Sequence, residues 1–354
     1  MKKIPGFLFS AGIMVSFTVL FFNSCTKEGP QGPPGAAGSD GKDANSNCIQ
    51  CHNWSDSLVT KIFQYNASRH ATGSTTGEGA QTACAPCHTS QGFLEVLTTG
   101  KDTTNAPVYD AAPINCRTCH KIHNTYSSDD WALQNNAVIA FNAKYDPSVS
   151  IDLNFNGGSS NLCARCHQAL RTTPWLTNPT SITDSLEPTS SLWGPHNGTQ
   201  GLILAGKGAF EIGATAFGQT DHKSHVSCAS CHQALARGNV VGGHSLWMSN
   251  EVENIQNVSA CIACHSGATS FDVGGKQTEI AGLIKELKTK LAIANMLDTN
   301  TMLLKTGKKY SQKQLAVYWN FMMVEADRSL GVHNYLYTHD VLQSGINYFR
   351  SRGY

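Results

Sequence analysis

The chain carries little charge. Of its 354 residues 14% are charged, and 26 Lys and Arg nearly balance 25 Asp and Glu, for a formal net charge of +1. A nucleic-acid binder needs a basic patch, so no such partner is expected. Beyond residue 22 no apolar run is long enough to span a bilayer. Strand-like alternation with a period of two is scarce, which argues against a large sheet.

Cysteine, in contrast, is abundant and ordered. Twelve of the 13 cysteines fall in six Cys-x-x-Cys-His units. Their cysteines are Cys48 and Cys51, Cys84 and Cys87, Cys116 and Cys119, Cys163 and Cys166, Cys228 and Cys231, and Cys261 and Cys264. The histidines that follow are His52, His88, His120, His167, His232 and His265. We number these motifs 1 to 6. The pattern is the attachment signature of c-type haem: two thiols form thioethers to one porphyrin edge, and the next histidine becomes the proximal iron ligand. A zinc reading would pair Cys-x-x-Cys units into four-ligand sites, and a disulfide framework would explain an even count. Neither accounts for a histidine after every second cysteine. Six covalent haem c groups, each with iron, are expected, and a chain with six irons moves electrons.

Cys25 is the cysteine left over. Lys2 and Lys3 open the chain, an apolar stretch follows from Ile4 to Phe22, and Ser24 precedes the cysteine. This reads as a signal peptide over 1–24 of the lipoprotein type, with Cys25 lipidated after cleavage. Thr26, Lys27 and Glu28 resemble in part a surface-export tag of some Gram-negative lipoproteins. Residues 29–43 form five Gly-x-y triplets, a collagen-like pattern too short for a stable triple helix, so 25–47 reads as lipid anchor and extended stalk. The expected product is exported and lipid-anchored to the outer membrane, on its cell-surface or periplasmic face.

About 310 residues then serve six haems, roughly 50 each, so the porphyrins themselves must form much of the core. Residues 48–275 read as the haem-binding region, with a Ser/Thr/Pro/Asn-rich loop from Thr172 to Thr199. Residues 276–354 read as a C-terminal helical segment packed on it. There Ile280, Leu283, Ile284, Leu287, Leu291 and Ala294 keep helical spacing over 276–304, and Gly307 breaks the run. Ser311 and Gln314 form a capping box for a second helix bearing Leu315, Tyr318, Phe321 and Met322. A third helix is expected from about Tyr335 to Phe349. The fold class is mainly α with extensive loops, a multihaem cytochrome c fold organised around covalent haems.

Fourteen histidines less six proximal ones leave eight. The distal candidates are His70, His123, His196, His225, His244 and His333, with His222 and His339 ranked below them. His123 follows His120 by three residues and so points to a neighbouring iron. Gly242 and Gly243 before His244 would let backbone approach a porphyrin. His222 and His225 bracket one short stretch, of which one is expected to ligate. Two axial histidines close an iron to substrate and make a carrier, whereas an open face can bind and reduce a small molecule.

The phrases YNASRHATG, WGPHNGTQG, SHVSCASCH, GNVVGGHSLWM and AVYWNFMMVEADRSLGVHNYLYTHDVLQSGINYF resemble multihaem cytochromes of the nitrite reductase and hydroxylamine oxidoreductase superfamily. The resemblance is scattered over residues 48–350. It implies closely spaced haems and supports His70, His196, His244 and His333 as distal ligands. Two features depart from it. The CxxCK motif of the pentahaem nitrite reductases is absent, and nothing singles out Tyr335, Tyr337 or Tyr348 as the cross-linking tyrosine of the hydroxylamine enzymes.

The leading expectation is an electron carrier between a respiratory donor and a terminal reductase or extracellular acceptor, with redox proteins, a small molecule or a mineral as partners. Its catalytic residues are then none. A reductase of nitrite, hydroxylamine or a sulfur oxyanion would need one open haem, with His222, His225, Arg171 and Arg237 as proton donors. A third reading is a filament subunit.

Overall fold

The cysteine motifs shape the first part of the chain one turn at a time. In five of them the histidine N–H donates to the carbonyl of the first cysteine, at 2.7 Å for His52, 3.2 Å for His88, 2.8 Å for His120, 3.0 Å for His167 and 2.7 Å for His265. The remaining motif is itself a short helix, Cys228–His232. Residues three apart share one face of a helix. In motifs 2 to 6 each turn therefore sends both sulfurs to the same side, with the histidine just beyond. Capping boxes of Asn115 with Thr118 and Ser227 with Ser230 begin two of these turns.

The computed structural model describes residues 48, 52, 56–73, 75–135, 137–140, 150–153, 159–170, 173–213 and 216–354. The signal, Cys25, the stalk, Cys51 and Arg171 lie outside the described residues. The described chain belongs to the unit Asn47–Tyr354. Before residue 276 its longer helices are α1 (Asp56–Asn66) and α2 (Ser90–Thr99). The Thr89 hydroxyl caps α2 by accepting the Gly92 N–H at 2.9 Å. Strands are confined, among the described residues, to two-residue antiparallel pairs. One joins Ser185–Leu186 to Tyr310–Ser311 and so ties the Ser/Thr-rich loop to the C-terminal segment.

Three long helices close the chain: α3 (Lys276–Ile293), α4 (Gln312–Asp327) and α5 (Tyr335–Arg350). Helix α4 begins on the capping box expected from the sequence, with the Ser311 hydroxyl accepting the Gln314 N–H at 3.2 Å and the Gln314 side chain accepting the Ser311 N–H at 2.9 Å. Helix α3 stops eleven residues short of 304. Asn295 adopts a left-handed backbone, φ 55°. The Asp298 carboxylate then accepts the N–H groups of Asn300 and Thr301 at 2.9 and 3.2 Å. Asn tolerates that backbone and Asp holds turns, so the chain folds into a hairpin, Leu297–Asp298 against Leu303–Leu304.

Helix α4 is the centre of the core. Leu315, Ala316, Val317, Tyr318, Trp319, Phe321, Met323 and Val324 are all buried, so the helix is covered on nearly every side rather than along one stripe. Trp319 packs edge-on against Trp175, Trp193 and Phe210, with ring centres 5.1, 6.2 and 5.9 Å away. Its indole N–H donates to the Gly208 carbonyl at 3.0 Å. This core joins Leu202 and Ile203 to Ile280, Leu287, Val341 and Ile346. No helix among the described residues is long and apolar enough to cross a membrane.

Candidate functional site

Each motif histidine faces one histidine from outside the motifs. The ring centres of His52 and His123 are 6.2 Å apart, those of His88 and His196 5.9 Å, and those of His120 and His244 6.4 Å. His167 faces His70 at 6.1 Å, His232 faces His333 at 6.3 Å, and His265 faces His222 at 6.2 Å. Interplanar angles run from 24° for His120 and His244 to 80° for His222 and His265. Each of the six motif histidines is thus matched with one histidine from outside the motifs, so that each pair could hold one iron between its rings.

Hydrogen bonds fix which nitrogen faces the partner. In six of the twelve rings Nδ1 engages an oxygen: His120 with the Trp131 carbonyl at 2.6 Å, His167 with Gln200 Oε1 at 3.0 Å, His232 with the Leu246 carbonyl at 3.0 Å. His196 bonds the Asn197 carbonyl at 2.6 Å, His222 the Val332 carbonyl at 2.6 Å, and His333 Asp327 Oδ1 at 2.7 Å. An imidazole that donates from Nδ1 leaves Nε2 as the ligating atom, held in a set orientation.

Local structure supplies these contacts. Gln200 can reach His167 because Gly201 runs against motif 4: its N–H donates to the His167 carbonyl at 3.0 Å, and a Cβ there would lie 2.7 Å from that oxygen. The His244 N–H donates to Gln64 Oε1 at 3.0 Å, from helix α1. Gly242 and Gly243 both take positive φ, and what presses on them is the Ala234 carbonyl and the Gln64 side chain.

The ranking of the distal candidates changes at one place. The ring facing His265 is that of His222, at the start of the turn His222–His225, rather than that of His225. His339 faces no motif histidine. Its Nδ1 bonds Asp340 at 3.0 Å and its Nε2 lies 3.8 Å from Glu279. Arg237 forms a backbone bridge with Val241. Tyr126, which the sequence did not single out, stacks on His123 at 5.5 Å and 9°.

Burial keeps several of these imidazoles neutral, as ligation requires. It drives His70 down to about 4, helped by repulsion from His167 and His232. Burial also lowers His88, His167, His232 and His244. His333 goes the other way: burial opposes its charged form, but the Asp327 carboxylate outweighs that and raises it.

The motifs are near one another. Cys87 Sγ lies 4.0 Å from the Arg165 carbonyl and Cys166 Sγ 4.0 Å from the Pro86 carbonyl, so motifs 2 and 4 abut. The Cys228 N–H donates to Ser160 Oγ at 3.0 Å, and the Cys163 and Cys228 sulfurs meet, joining motifs 4 and 5. The turn Val258–Ala260, just before motif 6, packs on Cys228–His232 of motif 5. Cys119, its thiol pushed up to about 11 by burial, is within electrostatic reach of Cys163. His123 links motif 3 to motif 1.

The residues present fit covalent haem. No described cysteine is in a disulfide. The described ligand-type side chains come in facing pairs, with no group of three that could hold an ion such as zinc. Arg165 Nε is buried without a hydrogen-bond partner, which suits a propionate carboxylate. Val59, Ile62 and Phe63 on α1 are exposed, which suits a flat apolar ring.

No family model matches the chain, and no curated protein is similar to it. Two solved structures are. The outer cell wall cytochrome OcwA matches with a TM-score of 0.50 at 19% identity, over 82% of this chain and 50% of that one. An undecahaem cytochrome from the S-layer of Carboxydothermus ferrireducens matches with a TM-score of 0.44 at 13% identity, over 82% of this chain and 40% of that one. The chain thus spans half the length of OcwA or less of its neighbours. It has the fold of a multihaem c-type cytochrome. Neither neighbour is named as a nitrite reductase or hydroxylamine oxidoreductase.

Proposed function

We propose that the protein is a six-haem electron carrier in which every iron has two histidine ligands. The observation that carries this reading is the set of six histidine pairs, one per motif, with centres 5.9 to 6.4 Å apart. The distal ligands are His123, His196, His244, His70, His333 and His222 for motifs 1 to 3, 4, 5 and 6 in that order. Haem supplies one-electron exchange at iron. The chain does the rest. The twelve paired imidazoles would hold the irons and leave none open to substrate, and the Nδ1 hydrogen bonds would set ring orientation and ligand strength.

The contacts between motifs support a route of 1, 3, 4, 5, 6, with motif 2 branching at motif 4. Route order differs from sequence order because the distal ligand of motif 1 follows motif 3. The signal pattern before Cys25, with an outer cell wall cytochrome among the structural neighbours, supports export and display on the envelope through lipidated Cys25. Electrons would pass between a redox partner at the membrane and an acceptor outside it.

Intact mass of the purified protein tests the count, and carbon monoxide tests the coordination. The expected result is polypeptide plus six haems, with no carbon monoxide adduct in the ferrous spectrum. A lower count, or an adduct amounting to one haem, overturns the reading and in the second case favours a reductase.

A further inference from the structure

Of the Nδ1 atoms whose partners are described among the paired rings, that of His333 alone meets a carboxylate. The other five meet the neutral oxygens of Trp131, Asn197, Val332, Leu246 and Gln200. Asp327 ends helix α4, is 4% exposed, and lies 2.7 Å from His333 Nδ1. Its other oxygen accepts the Ser329 N–H at 3.3 Å and the Ser329 hydroxyl. A buried carboxylate must be fully hydrogen-bonded to be tolerated, and these three donors satisfy it. Helix α4, the most buried of the three long C-terminal helices, holds it in place.

We propose that Asp327 acts through His333 to make the haem of motif 5 the lowest-potential one in the chain. This rests on His232 and His333 being its two axial ligands. A hydrogen bond to a carboxylate is charge-assisted and makes the imidazole a stronger donor to its metal. The stronger donor favours ferric over ferrous iron, which bears one positive charge fewer. Burial limits screening of the negative charge, which acts in the same direction. One electron arrives from a neighbouring haem and one leaves, and no bond or proton need change. On the proposed route motif 5 stands between motifs 4 and 6. Asp327 thereby places the steepest step of the route in its interior rather than at either end.

Redox titration of the full haem-loaded protein, followed by electron paramagnetic resonance, tests this with three variants. Asp327→Asn should shift one low-spin haem in six to more positive potential and leave five superimposed on the wild type. Ser329→Ala removes a competing donor from the carboxylate and should shift the same haem to more negative potential. His333→Ala should turn one haem high-spin. If His333→Ala gives that signal while the Asp327→Asn titration overlays the wild type, the role of Asp327 is refuted and the ligand assignment stands. If Asp327→Asn fails to load haem, Ser329→Ala decides, and an unshifted titration refutes the proposal. If His333→Ala leaves every haem low-spin, the ligand assignment itself falls, and the proposal with it.

Discussion

The two ends of the described chain achieve order differently. In the C-terminal segment, helices α3 to α5 bury Trp319, Phe321, Leu287, Ile346 and Phe349 against one another and against Trp193 and Leu202. Among the described residues from 56 to 135 the buried apolar side chains are Ala85, Pro86 and Phe93, while Phe63 is 62% exposed and Tyr109 83%. The first region has a core made of protein. The second has single turns, caps and paired histidines, and its large apolar side chains Val59, Ile62, Phe63 and Tyr109 are exposed. Hydrophobic burial stabilises about 25 cal/mol per Å², so the early region depends on its cofactors for what the late region obtains from its own side chains.

This contrast can be broken from either side. The largest effect should come from blocking haem attachment by changing all six cysteine pairs to alanine. Amide hydrogen exchange should then show protection lost over 56–135 and retained over 312–350; uniform loss along both would remove the distinction. Next comes Trp319→Ala in the loaded protein, which empties the late core and should cost about 3–5 kcal/mol in chemical denaturation, with the low-spin haem spectrum unchanged before the transition. His222→Ala should turn one haem high-spin, whereas His225→Ala and His339→Ala should leave the spectrum of the wild type. A result with His222 and His225 exchanged would move the sixth distal ligand. The smallest effect belongs to the cap of α4: Ser311→Ala should cost about 1 kcal/mol and leave every haem signal in place.

The same contrast explains what could be read in advance. The proposed proximal ligands are local. A thioether pair and its histidine occupy five consecutive residues, so spacing alone names them. Helix α4 was equally legible, because a capping box and helical periodicity are local signals. The proposed distal ligands are not local. The shortest span between paired rings is from His222 to His265, and His120 pairs with His244. Only the tertiary fold brings such residues together, so the sequence could supply eight candidates for six places and could not rank His222 above His225. Asp327 had no signal at all, since its role comes from a hydrogen bond across the turn between α4 and α5. The overlong α3 shows the converse: the helix expected over 276–304 ends at Ile293, because Asn295 and Asp298 turn the following residues into a hairpin. The lipoprotein signal and stalk fall outside the described residues and rest on the sequence.

Central to all of this is that twelve histidines close six irons. Spin quantitation of the fully oxidised protein by electron paramagnetic resonance is the most direct check. The account predicts low-spin ferric haem throughout, six per chain, with no high-spin component. A high-spin ferric signal integrating to one haem per chain would contradict it.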